Sequence, residues 1–217
     1  MKIKKRNHIM ILHWIGGIWV FIALISLCTI IVLNCTSIYK LVIDYFELPY
    51  ETEVTRQSLL INYKEIIKYL QIPWISELNM PYFPMSKTGK IHFKEVKEIF
   101  QMLYIVLILF VIMGTIAFHK KIQIIPILKK GANITFIISS LLGFFMLIDF
   151  LKIFLLFHEI IFKNNYWFFD PLTDPVILAL PVELFGIMGI IIMVLTNVLA
   201  VFVKIVCTKI EKSNFKI

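Results

Sequence analysis

Four long runs of apolar residues divide the chain, and polar or charged segments separate them. A bilayer core about 30 Å thick takes roughly 20 apolar residues to cross as a helix. By this criterion, membrane-spanning helices are predicted at residues 14–35, 99–118, 131–150 and 176–203. The pattern therefore predicts an all-α membrane protein with four transmembrane helices.

The segments between the spans differ in length and in character. Residues 36–98 are enough for a small cap but too few to bury a large core alone, so a small extracytoplasmic cap is predicted between helices one and two. Within it, residues 58–70 carry apolar side chains at helical spacing and precede Pro73, which predicts an amphipathic helix that ends before the proline. Residues 119–130 form a short second connector, and residues 151–175 form the third.

Composition supports a membrane protein, because 59% of the residues are hydrophobic, whereas soluble domains are typically about 45–50% apolar. The placement of the net charge of +8 indicates topology rather than nucleic-acid binding. Lysines concentrate in residues 1–13, 119–130 and 204–217, which lie on one side of a four-span protein. The positive-inside rule then puts both termini in the cytoplasm and residues 36–98 and 151–175 outside.

The three cysteines predict neither a disulfide nor a metal site. Cys28 and Cys35 lie two turns apart on one predicted helix, about 10 Å by helical rise, which is too far for a disulfide. Cys207 falls on the cytoplasmic side. No metal ion and no other cofactor is predicted.

Two histidines are predicted to lie at the outer membrane boundary. His92 is at the outer end of the second span, and His158 lies just beyond the outer end of the third. The other three histidines, His8, His13 and His119, fall on the opposite side. Charged and titratable groups near hydrocarbon are costly and tend to be kept for function, so residues 157–185 are interpreted as one wall of an active site. The alternative for His92 is an interfacial histidine on a solvated helix face.

Carboxylates approach the same boundary. Glu95 shares a helical face with His92 and is predicted to hydrogen-bond it. Glu183 is predicted about two turns inside the fourth span, facing the helix bundle or a wet cavity. Asp170 and Asp174 each precede a proline, so turn and cap chemistry is the alternative to a role at the site.

Aromatic residues gather beside these polar groups. They are predicted to form walls that confine a substrate, the residues being Tyr82, Phe83, Trp167, Phe168 and Phe169. An interfacial aromatic belt is the alternative interpretation of the block at residues 166–169. Asn164 and Asn165 indicate a turn just before this block.

Several pieces of the chain occur together in an order that resembles a known family, the lipoprotein intramolecular transacylases. These are small bacterial membrane proteins with four spans and an extracellular cap. The matching pieces are residues 63–70, Phe83-Pro84-Met85-Ser86 with Gly89, residues 92–97, and then Phe157-His158, Asn164, Trp167, Asp170-Pro171, Asp174 and residues 181–185. The resemblance covers most of the chain and includes the number and topology of the spans.

The resemblance implies a reaction. The family's substrate is a diacylglyceryl-modified lipoprotein with a free N-terminal cysteine amine. One acyl chain moves from the sn-2 position of the glyceryl group to that amine and gives a lyso-form lipoprotein. The family's two catalytic histidines fall on His92 and His158, the two histidines that the predicted topology places outside.

The mechanism expected from the residues needs no acyl-enzyme, because donor ester and acceptor amine belong to one substrate molecule. His158 is predicted as the base and His92 as the group that polarises the carbonyl or protonates the leaving oxygen, although the two roles are exchangeable. Supporting groups that orient the imidazoles are predicted among Glu95, Asn164, Asp170, Asp174 and Glu183. The expected protein is a monomer in the bacterial cell membrane, in contact with membrane lipids and without nucleic acid.

Two alternatives belong to other classes. The first is a zinc-dependent membrane hydrolase in which His92, Glu95, His158 and a further carboxylate hold the ion, although no compact histidine motif supports it. The second is a transporter or interaction module, which four spans with polar groups at the outer edge fit poorly.

Overall fold

The computed structural model describes residues 2–214, with the side chains of residues 10–213. Over that range the chain forms helices and no strand. The helices are α1 (Lys2–Asn34), α2 (Thr36–Tyr45), α3 (Leu48–Thr52), α4 (Arg56–Gln71), α5 (Lys87–His119), α6 (Ile125–Ile148), α7 (Phe150–Ile161), α8 (Val176–Ala179) and α9 (Val182–Asn214).

Four of these helices are long and apolar enough to cross a membrane. The candidate spans are Met10–Asn34, Lys87–His119, Ile125–Ile148 and Val182–Ser213. The predicted all-α class with four transmembrane helices is therefore confirmed. Helices α2, α3 and α4 occupy the segment for which a cap is predicted, and the cap itself stays a prediction.

Two helix starts differ from the boundaries predicted from hydropathy. Helix α5 begins at Lys87, well before residue 99, because Ser86 caps it by accepting a hydrogen bond from the Gly89 backbone N–H at 2.9 Å. The fourth span begins at Val182 rather than at residue 176. Pro181 has no backbone N–H and pushes Leu180 out of the helical region, so residues 176–179 form the separate short helix α8.

The chain divides into two compact units. The first consists of Met1–Ile30, Leu103–Phe145 and Ile190–Ile217. In this unit Asn197 of α9 accepts hydrogen bonds from Ser139 at 2.9 Å and Ser140 at 3.2 Å on α6. Hydrogen bonds of this kind and small residues at contacts hold membrane helices together where lipid removes the hydrophobic drive.

Glycine lets α1 and α6 approach closely in the first unit. A Cβ atom added to Gly131 would collide with the branched Val20 side chain, which has little freedom to move. We expect Gly131→Ala to destabilise the protein by about 1–3 kcal/mol, the usual effect of overpacking. Gly114→Ala is the matched control, because nothing lies within 4 Å of a Cβ there. Thermal unfolding in detergent measures both, and equal melting temperatures for the two variants would contradict the close contact.

The second unit, Ile31–Met102 with Met146–Gly189, contains every predicted site residue. Its helices are tied by side chains that reach backbone carbonyls. The Tyr39 and Tyr63 rings stack at 4.2 Å, and their hydroxyls donate to the carbonyls of Ala179 at 2.9 Å and Leu33 at 3.0 Å. These bonds join α2 and α4 to the end of α1 and to α8.

Helix α4 matches the amphipathic helix predicted at residues 58–70. Thr55 caps its start by accepting from the Ser58 N–H at 3.1 Å, and the helix ends at Gln71, before Pro73. At its other end, α5 supplies donors to the last carbonyls, since Gln101 donates to Leu70 O at 2.7 Å. Lys97 continues this pattern and donates to Ile72 O at 2.8 Å. The α4 C-terminus thereby fixes α5 in the turns that follow His92.

Candidate active site

Two histidines that are far apart in the sequence lie together in the second unit. His92 is in the second turn of α5 and is only 8% exposed. His158 is in the last turn of α7 and is half-buried. The centroids of the two imidazole rings are 6.0 Å apart. One small reacting group can therefore contact both imidazoles.

Aromatic rings surround the two imidazoles, and we call these rings the aromatic enclosure: Phe154, Phe157, Phe162, Trp167 and Phe169. The His92 ring meets Phe162 edge-on at 4.7 Å and Phe169 edge-on at 5.5 Å. The His158 ring lies 4.2 Å from Phe154 and 4.8 Å from Trp167. The enclosure limits the access of water to both imidazoles.

Trp167 and Phe169 were among the predicted walls, whereas Phe154, Phe157 and Phe162 were missed by sequence reasoning. The sequence does contain a pattern that indicates two of these rings. Phe154 lies four residues before His158 and Phe162 four residues after it, a spacing that places all three on one side of a helix. Phe157 and Phe162 lie within residues 157–185, which were interpreted as one wall of an active site, but neither was predicted as a substrate contact.

Within the described side chains, the other predicted walls make no ring contact with the imidazoles. Phe168 is exposed, and its ring lies 5.3 Å from the Trp167 ring in an edge-to-face arrangement. Tyr82 is exposed and Phe83 is buried. Among the aromatic pairs of residues 10–213, neither Tyr82 nor Phe83 pairs with a histidine ring.

The protonation state of His158 follows from its hydrogen bond. Its Nδ1 lies 2.7 Å from the Phe154 carbonyl oxygen, which can only accept, so Nδ1 carries the proton. The lone pair of the neutral ring is then on Nε2. Burial lowers the pKa of the His158 imidazole below its ordinary value, and the hydrogen bond to Phe154 opposes this only in part. His158 is thus neutral at pH 7, with one nitrogen available as a base.

The predicted hydrogen bond between Glu95 and His92 is not made. Glu95 Oε2 and His92 Nδ1 are 4.0 Å apart, beyond hydrogen-bond range, and within the described side chains neither atom has a hydrogen-bond partner. The amide of Asn164 instead donates to Glu95 Oε1 at 2.7 Å. Asn164 also accepts from the Tyr166 N–H at 3.0 Å, so it links the turn before Trp167 to α5.

The two predicted aspartates serve backbone structure. Asp174, which is 3% exposed, accepts from the Ser86 N–H at 2.8 Å and from the Thr173 hydroxyl at 2.9 Å. It joins the loop before α8 to the first turn of α5. Asp170 is exposed and accepts from the Leu172 N–H at 2.9 Å, as a turn residue does. In the described part of the chain neither aspartate hydrogen-bonds a histidine.

The predicted depth of Glu183 is wrong. Because α9 starts only at Val182, Glu183 is in the first turn of that helix rather than two turns inside it, and its side chain is exposed rather than facing the helix bundle. The break at Pro181 is the physical reason. A carboxylate in the first turn is favourable there because it faces the positive end of the helix dipole.

The arrangement gives no ligand set for the zinc alternative. Across residues 10–213 no group of three or more histidine, cysteine, aspartate or glutamate side chains converges on one point. The His158 Nδ1 is already engaged by a carbonyl, and Glu95 is engaged by Asn164. The site offers two imidazoles in an aromatic enclosure, which suits proton transfer.

Comparisons with known proteins agree on one family. The family model described as "Lipoprotein intramolecular transacylase Lit" matches residues 14–185. A solved structure of the membrane integral lipoprotein intramolecular transacylase Lit from Bacillus cereus is 28% identical, with a TM-score of 0.82 and 97% of each chain covered. No curated protein matches the sequence.

Two variants of the Bacillus cereus protein also match. In the first variant a histidine is replaced by arginine. Its sequence is 26% identical and its TM-score is 0.81, and the match covers 100% of this chain and 98% of the variant's chain. In the other, a histidine is replaced by alanine; it is 26% identical, with a TM-score of 0.81, and covers 100% of both chains.

Proposed function

Because the chain belongs to the lipoprotein intramolecular transacylase family and is therefore a membrane acyltransferase, we propose that it moves the sn-2 acyl chain of a diacylglyceryl lipoprotein to the α-amine of the N-terminal cysteine. The product is a lyso-form lipoprotein. The observation that carries this proposal is the pair His92 and His158, 6.0 Å apart between ring centroids inside the aromatic enclosure.

His158 acts as the base in this proposal. Its free Nε2 takes a proton from the cysteine amine while the amine nitrogen attacks the ester carbonyl carbon. The fixed Nδ1 proton and the lowered pKa support this role, because they keep the lone pair available at neutral pH. His92 polarises the carbonyl by donating an N–H hydrogen bond to its oxygen, and the protonated His158 then passes the amine's proton to the departing glyceryl oxygen. A C–N bond forms, a C–O bond breaks, and the proton lost by the amine is balanced by the one gained by the new hydroxyl.

The aromatic enclosure assists this reaction by position and by desolvation. Donor and acceptor are joined by a flexible head group, and holding them in contact is worth about 7–11 kcal/mol in favourable cases. Apolar rings also disfavour a charged ammonium, so they promote the neutral amine that attacks. No acyl-enzyme is required, since both reacting groups belong to one lipoprotein.

The supporting residues divide into two groups in the proposed site. Glu95 and Asn164 form one unit that places a carboxylate beside His92, and a small movement would bring Glu95 Oε2 from 4.0 Å into hydrogen-bond range. Asp170, Asp174 and Glu183 act at a distance through turns and helix starts. Tyr82 and Phe168, which are exposed, are proposed as outer contacts of the lipid-modified substrate, whereas Phe83 is buried and has little surface to offer it.

The same proposal places the site at the outer membrane–water interface and both termini in the cytoplasm. The lysine-rich segments at residues 1–13, 119–130 and 204–217 support this orientation. The protein acts as a monomer among membrane lipids. Reporters fused to the C-terminus test this orientation. A reporter that is active only in the cytoplasm should be active in the fusion. Activity of a reporter that works only in the periplasm or outside the cell would reverse the proposed orientation.

Tandem mass spectrometry of a reporter lipoprotein tests the function directly. The N-terminal peptide is isolated from cells that lack other N-acylation, with and without this protein. Intact mass is the same before and after an intramolecular transfer, so fragmentation has to locate each chain. One acyl group on the cysteine nitrogen and one on glycerol is the expected result. Two acyl groups on glycerol, with the protein present in the membrane, would reject the proposal.

Nuclear magnetic resonance of histidine labelled with ¹⁵N tests the state of His158 without substrate. We expect its titration midpoint below 6.5, its ordinary value, and a proton on Nδ1 in the neutral form. The sign follows from burial: the folded imidazole resists protonation, so folding stability declines as pH falls below 6.5 and the unfolded imidazole takes up its proton first. The resonance of His158 is identified by its absence from the spectrum of the His158→Gln variant. A midpoint above 6.5, or a proton on Nε2, would contradict the proposed base.

A further inference from the structure

Helix α7 is apolar but has no core to pack into. Every residue of Phe150–Ile161 is apolar except Lys152, His158 and Glu159. All twelve residues are described, and none of them is buried. The helix is too short to count among the four candidate spans. Burying a large aliphatic or aromatic side chain away from water is strongly favourable, so lipid is the expected surrounding of α7.

Four large apolar side chains follow one side of α7, and we call them the α7 stripe: Leu156, Phe157, Ile160 and Ile161. Their spacing places them on adjacent positions of the helix surface. Their exposed fractions run from 45% to 71%. The end of α6, a candidate span, carries the exposed Leu147 and Ile148, and Asp149 alone separates them from α7. Exposed apolar side chains thus lie on both sides of the break at Asp149 between α6 and α7.

The α7 stripe also reaches the imidazole of His158. Phe157 is half exposed as a member of the stripe, and its ring meets the His158 ring edge-on at 5.4 Å. The same ring contacts Phe162, at 6.5 Å, which in turn touches His92. A single aromatic side chain therefore separates a lipid-exposed surface from the proposed reacting centre.

We propose that the α7 stripe binds the fatty acyl chain of the lipoprotein substrate and guides its ester end past Phe157 to His158. This inference rests on the proposed function. Every methylene of an acyl chain favours hydrocarbon over water, so the chain does not leave hydrocarbon while its ester reacts. A helix that carries the base and presents an apolar surface lets the chain stay in lipid while only its ester reaches the enclosure.

Photochemical labelling in vesicles tests the inference on the intact protein. The probe is a diacyl lipopeptide with a diazirine on one chain and an N-acetylated cysteine, which prevents transfer. A phospholipid that carries the same chain at the same mole fraction is the comparison. We expect the lipopeptide to label the α7 stripe about tenfold more than the phospholipid does, which corresponds to a preference of 1.4 kcal/mol. Unlabelled lipopeptide should compete with this labelling.

Val198 and Phe202 of α9 provide the internal control, because both are exposed on a spanning helix. The two probes should label them equally. Equal labelling of the α7 stripe by both probes would show ordinary lipid contact and overturn the inference. Absence of label from the stripe would overturn it as well.

A substitution gives a second readout that depends on the chain. Ile160→Glu places a carboxylate on the α7 stripe, and Tyr50→Glu places one on α3, where Tyr50 is also highly exposed. We expect Ile160→Glu to slow transfer about tenfold for a long-chain lipopeptide, a barrier increase of about 1.4 kcal/mol. The loss should shrink for a lipopeptide with shortened chains, while Tyr50→Glu stays at the wild-type rate. A loss independent of chain length, with unchanged thermal unfolding, would overturn the inference.

The two proposals fail in different ways. If the wild-type protein leaves both acyl chains on glycerol, the proposed function is wrong whatever the labelling shows. If transfer occurs but the α7 stripe is not labelled preferentially, only the acyl-chain surface is wrong.

Discussion

We expect His158→Ala to abolish measurable acyl transfer while the protein remains in the membrane at its usual level. General base catalysis by a positioned side chain contributes about 10²–10⁴-fold, and no described side chain beside His158 other than His92 offers a second imidazole. His92→Ala should cause a loss of the same order, because the ester carbonyl then lacks the imidazole that polarises it. Fragmentation mass spectrometry of the reporter lipoprotein measures both.

His119→Ala is the matched control for these variants, since His119 lies at the far end of α5 and outside the unit that holds the site. It should transfer acyl chains at the wild-type rate. Thermal unfolding in detergent separates lost chemistry from lost folding, because His158 is only half-buried and its replacement should leave the fold intact. Retained transfer in both His92→Ala and His158→Ala would remove the two histidines from the mechanism.

Gly89→Ala should reduce transfer strongly although it lies outside the aromatic enclosure. A Cβ atom on Gly89 would overlap the Asp174 carboxylate, which holds the Ser86 N–H at 2.8 Å at the start of α5. Relief of that overlap displaces either the loop or the first turn of α5, and His92 follows in the next turn. A misplacement of about 1 Å can cost roughly 100-fold in rate. Initial transfer rates in vesicles measure the effect.

A double-mutant cycle shows whether the overlap is the cause. Asp174→Ala removes the carboxylate and leaves the Ser86 N–H unpaired, at a cost of about 1–3 kcal/mol. Once Asp174 is alanine, adding Gly89→Ala should cause little further loss, because the colliding atoms are gone. Additive losses in stability and rate would mean that Gly89 matters for a reason other than its contact with Asp174.

The pattern of hydrophobic residues was sufficient to predict the parts of the fold that the bilayer dictates. A spanning helix must satisfy its backbone internally and present apolar side chains over a fixed length, so four long runs translate directly into four helices. The same patterning does not give the residues at which the helices begin. Helix α5 begins earlier than its apolar run because Ser86 caps it, and α9 begins later because Pro181 interrupts the helix. Each helix start depends on a single residue, which an average of hydropathy over many residues does not detect.

The candidate site shows a similar division. His92 and His158 were selected from the sequence because a titratable group at the outer boundary of a span is unusual, and the structure brings their rings together. The partners of the carboxylates did not follow from spacing alone. Glu95 stands one turn from His92, but its carboxylate is held by Asn164 from a distant part of the chain. Asp174 is engaged by the start of α5 rather than by an imidazole.

The sequence by itself determined the class of protein, its four spans and the residue types at the proposed reacting centre. These follow from the length of a bilayer, the cost of charge near hydrocarbon and the order of family motifs, none of which requires distant contacts. Only the tertiary structure decided which nitrogen of His158 is free, which rings enclose it and that α7 exposes its apolar side. Those features depend on long-range packing and on hydrogen-bond direction, which a one-dimensional pattern of residues does not record.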